Sequence, residues 1–428
     1  MMHRFFKKTD LSACPIFLLI VSLIWAESVK AKELYFQPSF NVITEYDSNK
    51  RLRTKKNQPG IDRSSYGIIT RVGAKLGARS NRYNIKLDNQ FILNRYASDL
   101  DLDSEDFNFN LTSSYNLTEK SQFGVSASYK RDTTLTSELD GTGSGIVQDN
   151  IQRRLWSVSP YWSYSFSNTH SFQASYSHSE TDYNQSDVGT FSDYTVDNFS
   201  VNFRQQWTPL FSSFINGSAM LFSVPEIDSS IRTVGGVIRS EIEQDVTEYS
   251  ITVGGEYQFL PTWSASFSVG PRFNTTESTT TIPNTTFEQS SSTDTTAFIY
   301  SVGIEKTFET GKASVNYSRS TNPQGQGRLQ VRDLVDVSYK YRVNQKVQLN
   351  LTARFNDIST SGDVDDGNAR TYYGARPSVR WSINKQARLV LFYQYRAQKF
   401  DRDDETAVSN SVGLNFNYQW DKLATQKY

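Results

Sequence analysis

Cysteine, long apolar runs and an excess of charge of either sign are almost absent from this sequence. One cysteine in 428 residues rules out a disulfide framework. Apart from one short stretch near the start, no segment approaches the ~20 mostly apolar residues that each span of a helical membrane domain needs. Because 45 Lys and Arg balance 45 Asp and Glu, no basic excess points to nucleic acid as a partner. An aromatic content of 14% argues against a disordered chain.

The short apolar stretch has the features of an export signal. Basic residues in Met1 to Lys8 precede the apolar segment Pro15 to Ala26, and Val29-Lys30-Ala31 fits a small-x-Ala cleavage site. We therefore predict a cleaved signal peptide over residues 1–31 and one domain over residues 32–428. The mature chain then contains no cysteine, since Cys14 lies in the signal.

The mature chain repeats one element, in which apolar and polar residues alternate. In Asp106 to Leu117 (DFNFNLTSSYNL) every second residue except Ser113 is apolar, and Ser121 to Tyr129 repeats the pattern after three residues. A period of two predicts strands with one oily and one polar face. Segments of about ten such residues separated by turns are typical of a transmembrane β-barrel.

The pattern predicts eighteen strands, an even number, as antiparallel closure with both termini in the periplasm requires. They cover residues 35–46, 65–79, 82–96, 106–117, 121–132, 153–166, 171–183, 194–207, 211–224, 246–259, 263–274, 295–308, 312–321, 330–342, 346–356, 370–382, 386–398 and 408–420.

Connection lengths and aromatic positions predict the orientation. Breaks after even strands are short, whereas several breaks after odd strands, such as 133–152, 225–245 and 275–294, are long and polar, as expected for outer loops. The apolar faces of even strands end in aromatic residues typical of a membrane interface. These residues are Phe166, Trp207, Phe259, Phe308, Tyr341, Trp381 and Trp420. A soluble β-sandwich or propeller, the alternative, gives no reason for this repeat.

The last predicted strand carries a candidate assembly signal. Ser411 to Tyr418 fits polar-x-Gly-x-x-aromatic-x-aromatic, with Gly413, Phe416 and Tyr418 at the defining positions. The segment resembles the signal of outer-membrane proteins, and this resemblance implies the barrel-assembly machinery as a partner. Asp421 to Tyr428 continue beyond it, whereas in many relatives the chain stops at the terminal aromatic. The alternative is one more amphipathic strand.

The chain also resembles a family of barrels. The opening Phe36 to Phe40 and Glu45 to Asn49 are similar to the first strand of porin-like outer-membrane barrels associated with exopolysaccharide and exosortase gene clusters. A proline near a strand start, a short turn and a Tyr-rich return recur in Pro160 to His178 and Pro377 to Arg396. The resemblance implies a role in exporting or displaying an extracellular polysaccharide, with polysaccharide and periplasmic export proteins as possible partners and no assigned catalytic residues.

The residue inventory does not favour an enzyme. His3 leaves with the signal, His170 falls in a short turn and His178 on an oily face, so a usual zinc or thiol site cannot be built. We expect no metal, no cofactor and no catalytic residues.

The predicted inward faces are rich in Ser, Asn, Gln and Gly, except on predicted strands 14 to 17, where basic residues point inward. This basic strip consists of Arg332, Arg354, Arg376, Arg380, Arg388 and Arg396, with Lys340 and Arg342 beside them. One interpretation is a path for anions; the other is structural pairing with acidic loops such as 137–149. Inward and outward faces are ambiguous in 211–224 and 386–398, where both carry apolar residues.

These observations predict a barrel in the outer membrane of a Gram-negative bacterium, surrounded by outer-membrane lipids. The expected function is a channel or accessory for exopolysaccharide secretion. A general diffusion porin for small anionic solutes is the alternative, followed by a non-conducting adhesin or structural barrel.

Overall fold

The computed structural model describes residues 33–54, 63–97, 102–134, 150–184, 191–233, 236–283, 285–324, 328–360, 369–400 and 405–426. The predicted signal peptide and the acidic segment 137–149 lie outside these residues.

The described residues form nineteen β-strands. Their bounds are β1 Glu33–Asp47, β2 Ser65–Arg79, β3 Tyr83–Ala97, β4 Ser104–Asn116, β5 Ser121–Thr133, β6 Gln152–Ser165, β7 His170–Tyr183, β8 Tyr194–Thr208, β9 Phe211–Thr233, β10 Gly236–Leu260, β11 Trp263–Thr281, β12 Glu288–Phe308, β13 Gly311–Gln324, β14 Arg328–Arg342, β15 Val347–Thr360, β16 Arg370–Ser382, β17 Ala387–Phe400, β18 Ala407–Gln419 and β19 Leu423–Gln426.

Eighteen of these strands close into an antiparallel barrel. Each strand pairs with the next along the chain, and β18 returns to pair with β1 over Ser39–Asp47. The short β19 continues past a break after β18 and pairs with Glu33–Phe36 at the start of β1. The predicted eighteen-strand barrel is therefore confirmed, and a sandwich or propeller is excluded.

Alternation explains why these residues form two-faced strands. Along β2, the side chains of Tyr66, Ile68 and Val72 are 64%, 54% and 51% exposed on the outside, while Ile69 between them is 8% exposed and faces inward. Residues that are paired across neighbouring strands point to the same side of the sheet, so the same division into outward and inward residues holds around the barrel. A continuous apolar outer surface of this kind is stable only against lipid. No described helix has the length and apolar content needed to cross a membrane.

The predicted aromatic belt is confirmed. Its seven residues lie within one residue of the ends of even strands, and all are exposed, from 38% for Phe308 and Tyr341 to 64% for Trp207. The connections at this end are short throughout, from 209–210 to 343–346. Amphipathic rings at one depth mark a membrane interface, here the periplasmic one.

The prediction of outer loops at 225–245 and 275–294 is wrong in detail, because most of these residues form paired strands. Most of segment 225–245 extends the β9–β10 hairpin to Thr233 and Gly236, and 275–294 extends β11 and β12 to Thr281 and Glu288. Both faces of a strand above the membrane meet water, so the oily alternation that marks the lower part fades. The Ser- and Thr-rich sequence then resembles a loop.

The wall opens between β12 and β13 at the outer end. These strands pair only from Phe308 and Gly311 up to Tyr300 and Arg319. Above this level β12 stays with β11, whereas β13 stays with β14. The tip of the β13–β14 hairpin is thereby free to lean into the barrel mouth.

The topology predicts which positions an aqueous reagent reaches in intact cells. Ser291 lies exposed on the projecting β11–β12 hairpin, and Lys385 lies exposed in the β16–β17 turn. A membrane-impermeant maleimide should label Ser291→Cys on intact cells but label Lys385→Cys only after permeabilisation. Equal labelling of Lys385→Cys in intact cells would reverse the assigned orientation.

A second prediction concerns assembly. Phe416 and Tyr418 face outward on the closing strand, and Tyr418 packs edge-on against Trp420 with ring centroids 4.7 Å apart. Replacing both with Ala removes the suspected signal, so we expect loss of the heat-modifiable folded species from outer membranes.

The matched control is Tyr339→Ala with Tyr341→Ala. These aromatics are also two residues apart, outward-facing and 39% and 38% exposed near the periplasmic end of β14. The control should retain most of the folded species. Equal loss in both double variants would show a general need for interface aromatics and no signal.

Candidate functional site in the barrel lumen

The barrel lumen is lined by small hydroxyls and amides over much of its wall. Serine hydroxyls pair across neighbouring strands at 2.8 Å between Ser128 and Ser157 and at 2.7 Å between Ser175 and Ser200. Ser218 and Ser250 pair in the same way at 2.7 Å. This agrees with the polar inward parity predicted from the sequence.

The first outer connection folds into the barrel mouth. Leu52 is fully buried against Leu102, Tyr372 and Ala407, and the latter two are inward-facing wall residues. Its φ of 45° is the left-handed conformation that leucine rarely adopts. Asn49 fixes this segment by donating from Nδ2 to the carbonyl oxygen of Val408 at 3.1 Å. Residues 48–54 therefore narrow the outer mouth on the side of the β1–β18 seam.

A buried ion pair lies beneath this segment. Arg396 of β17 donates from Nη2 to Asp47 of β1 at 2.5 Å, and Ser409 of β18 donates from Oγ to the same carboxylate at 2.7 Å. Asp47 and Arg396 are each 1% exposed. The pair and Ser409 thus connect β1, β17 and β18 at the seam.

The β13–β14 tip narrows the mouth from the opposite side. Leu329 is 3% exposed and packs with Phe222, Val224 and Val246. Thr321 donates to Glu248 of β10 at 3.0 Å, three strands away along the sheet. An apolar cluster contributed by the wall and this tip thus occupies the lumen at the outer end.

These contacts explain the ambiguous faces of 211–224 and 386–398. Even-numbered residues face inward in both segments, since Ser218 and Arg396 contact inward-facing partners. Inward Phe222 packs against the β13–β14 tip, and inward Phe392 packs with Ile43 and other isoleucines of the wall. Both faces are apolar because the inner one packs against the chain itself.

Gly413 of the suspected assembly signal also has a local packing role. A Cβ at this position would lie 2.4 Å from Cζ of Phe392 and 2.7 Å from the carbonyl oxygen of Thr44. On Phe392, the guanidinium carbon of Arg376 lies 4.2 Å from the ring centroid. The packing of Phe392 therefore requires glycine at position 413, apart from any role in recognition.

The predicted basic strip divides into two groups, and its outer part is engaged in the wall. Arg396 is buried with Asp47, and Arg354 donates from Nε to Asp336 at 2.6 Å. Arg376 stacks on Phe392. Arg332 lies higher still, opposite Ile358. Arg396 and Arg354 thus have carboxylate partners in the barrel wall, whereas the predicted acidic loop lies outside the described residues.

The second group lies at the periplasmic end. Lys340, Arg342, Arg380 and Arg388 face the lumen and are exposed, and within the described part of the chain none forms an ion pair or a side-chain hydrogen bond. We call these four residues the periplasmic basic cluster. Arg342 and Arg380 lie in one register row on either side of Gln348.

A polar cleft of about 560 Å³ lies in the wall next to this cluster. Its inward-facing lining residues are Ser39, Lys75, Asp88, Gln90, Asn108, Asn110, Ser128, Lys130, Leu155, Asn417 and Gln419. The volume falls within the roughly 300–1,000 Å³ of small-molecule sites. Arg388 lies directly opposite Asn417, so cluster and cleft are continuous around the wall. The polar face of β4 follows from its alternating sequence, whereas no local pattern predicts the cleft.

The histidines lie outside the lumen site. His178 faces outward, where its Nδ1 is 2.8 Å from Oδ1 of Asp197, and His170 begins β7 beside the periplasmic turn. Among the described residues, no three His, Cys, Asp or Glu side chains come together as a possible metal site.

Comparison with known proteins bears on the fold. No family model and no curated protein matches the sequence. The ferric citrate transporter FecA in its unliganded form has a TM-score of 0.50 with 8% identity, covering 90% of this chain and 78% of that chain. The open form of the ferric-catecholate import receptor Fiu from E. coli K12 gives 0.46 and 9%, over 89% and 81%.

OmpT, an outer membrane protein of Vibrio cholerae, gives a TM-score of 0.38 and 12% identity, over 92% of this chain and 99% of that chain. At these identities the likeness concerns the fold alone. The closed antiparallel sheet and its apolar outer surface show that the chain is an outer-membrane β-barrel in a lipid environment, and the fold of FecA agrees with this.

The buried pair yields a stability prediction. Removing one partner leaves an uncompensated buried charge, which typically costs about 3–5 kcal/mol. We expect Arg396→Gln to lower the free energy of unfolding by that order in a urea titration of the refolded barrel. Asp47→Asn should have a similar effect, and the double variant should be less destabilised than the sum of the two.

Arg204→Gln is the matched control, because Arg204 also pairs with a carboxylate, that of Glu256. Their side chains are 41% and 58% exposed, so the loss should stay below about 1 kcal/mol. If Arg396→Gln were no more costly than Arg204→Gln, the pair would not stabilise the seam.

Proposed function

We propose that this barrel is a conduit across the outer membrane for an exopolysaccharide with acidic groups. The periplasmic basic cluster is the observation that supports this proposal most. Four exposed cations without a carboxylate partner among the described residues face the lumen where a substrate from the periplasm would enter. A wall of one charge at a channel entrance raises the local concentration of oppositely charged solutes.

The spacing of the cluster suits this role. Arg342 and Arg380 are separated by Gln348 alone, hence by about 10 Å at the usual strand spacing. Charges attract a permeating ion effectively within a Debye length, about 10 Å at 0.1 M salt. Arginine keeps its charge at physiological pH. The cluster thus acts on an acidic polymer as a continuous basic surface.

The remaining wall suits a polymer rich in hydroxyl groups. Serine and amide side chains both donate and accept hydrogen bonds, as sugar hydroxyls do. The resemblance of the opening strand to barrels associated with exopolysaccharide gene clusters agrees with such a substrate.

The second candidate function, a diffusion porin for small anions, is favoured by the outer mouth. Leu52 on one side and Leu329 on the other lie in apolar clusters that narrow it. A narrow exit suits small solutes better than a polymer, unless residues 48–54 or the β13–β14 tip move. The basic cluster serves either function.

The charge component is tested in a planar bilayer with a salt gradient. The native protein should show an anion-biased reversal potential that weakens as salt rises. Changing Lys340, Arg342, Arg380 and Arg388 together to Gln should move that potential most of the way to zero and leave the channel conducting. A native channel that prefers cations, or a quadruple variant with unchanged selectivity, would contradict the proposal.

The matched control neutralises Arg354 and its partner Asp336 together, as Arg354→Gln with Asp336→Asn. This change removes inward charge without altering net charge, so selectivity should stay nearly native. In cells, the quadruple variant should reduce surface display of a uronate-bearing polymer more than that of a neutral one. Anion selectivity without any effect on polymer display would favour the porin.

A further inference from the structure

Five primary amides in the polar cleft have free hydrogen-bonding capacity. In the described part of the chain, the side chains of Gln90, Asn108, Asn110, Asn417 and Gln419 form no hydrogen bond with another residue. The Oδ1 atom of Asn108 is itself buried without a partner. Buried polar atoms normally have a partner, so an unpaired one indicates a group that is satisfied by water or a ligand.

The register places these groups in two parallel rows. One row runs from Gln419 through Ser39 and Gly73 to Gln90, Asn108 and Lys130 on successive strands. The next row contains Lys75, Asp88, Asn110 and Ser128. Strand spacing repeats a side-chain donor or acceptor every ~4.8 Å along each row, except at Gly73.

Gly73 is the one member of the first row without a side chain. A Cβ there would lie 2.8 Å from the carbonyl oxygen of Asn89 and 3.2 Å from Oγ of Ser39. A side chain at position 73 would therefore not fit between the Ser39 hydroxyl and the backbone of β3.

The charges of the cleft offset one another. Nζ of Lys75 lies 3.8 Å from Oδ2 of Asp88, and Nζ of Lys130 lies 2.8 Å from Oδ2 of Asp132. In contrast to the neighbouring basic cluster, the cleft therefore has no unpaired cation to attract an anion. The amides and hydroxyls of the cleft both donate and accept hydrogen bonds, and the carboxylate of Asp88 is accessible. Such groups suit the neighbouring hydroxyls of a sugar.

We propose that the polar cleft is a binding subsite for uncharged sugar units. This subsite rests on the proposed function, because a saccharide polymer must pass through the lumen to reach it. Since Arg388 faces Asn417, acidic units of the polymer contact the basic cluster while neutral units contact the cleft. Amides that remain partly accessible to water give weak binding, which transport needs for release.

The test is calorimetric titration of the folded protein in an amine-oxide detergent, because sugar detergents would compete. The probes are maltohexaose, cellohexaose and trigalacturonate. At least one neutral hexamer should bind the native protein. Asn108→Ala with Asn110→Ala should weaken this binding by about tenfold, as expected for the loss of two hydrogen bonds.

Asn202→Ala with Asn216→Ala is the matched control. These two amides also face the lumen directly opposite each other, on β8 and β9, and their loss should leave hexamer binding within about twofold of native. Asn110→Ser replaces the amide with a smaller hydroxyl, which still donates and accepts a hydrogen bond, and provides a milder variant with an intermediate loss if the double variant fails to refold.

Failure of both neutral hexamers to bind would overturn the proposal, as would equal weakening in the test and control variants. Binding of trigalacturonate alone would assign the wall to anions only. The basic-cluster quadruple variant should still bind the hexamer. Asn108-dependent hexamer binding in a barrel without anion selectivity would therefore refute the charge component of the proposed function and leave the cleft intact.

Discussion

Closure of the sheet between β1 and β18 is the constraint on which the rest of the molecule depends. Lipid offers no hydrogen bonds, so each backbone group of a membrane-spanning strand must pair within the protein. Ser39–Asp47 of β1 achieve this with Ser411–Gln419 of β18. Once the sheet is closed, the outer surface must be apolar, while the inner surface is free to carry polar and charged side chains.

The inner surface uses this freedom differently at its two ends. At the outer end, Leu52, Leu329 and the Asp47–Arg396 pair pack the chain against itself and leave little exposed polar surface. Beside residue 52, Lys50 is buried and burial opposes its charge, but neighbouring Tyr96 and Glu45 raise its pKa above the ordinary value. At the periplasmic end, Arg380 and other cations remain exposed. The candidate site therefore lies in the solvated half, beneath a packed mouth.

Alternation was enough to predict the strand number, the orientation and the periplasmic belt, because lipid imposes an oily face on every spanning segment. It failed where that pressure ends, in the β9–β10 and β11–β12 hairpins above the membrane. It also could not divide the basic strip. The partner of Arg396 is 349 positions away in sequence, and only the register of distant strands shows which arginines are paired.

Part of the cleft could be predicted from the sequence, since Asn108 and Asn110 lie on the polar face of segment 106–117. Its completion by Gln419, from the far end of the chain, depends on the seam and could not be predicted from the local pattern.

Flux through the reconstituted barrel is the most direct test of whether saccharides pass through the lumen. Proteoliposomes would be loaded with a labelled oligogalacturonate and a labelled neutral glucan of equal length, and the release of each would be measured over time. The account predicts that both leave through the protein and that the acidic oligomer leaves faster at low salt than at high salt. Retention of both oligomers while small anions escape would contradict a saccharide conduit.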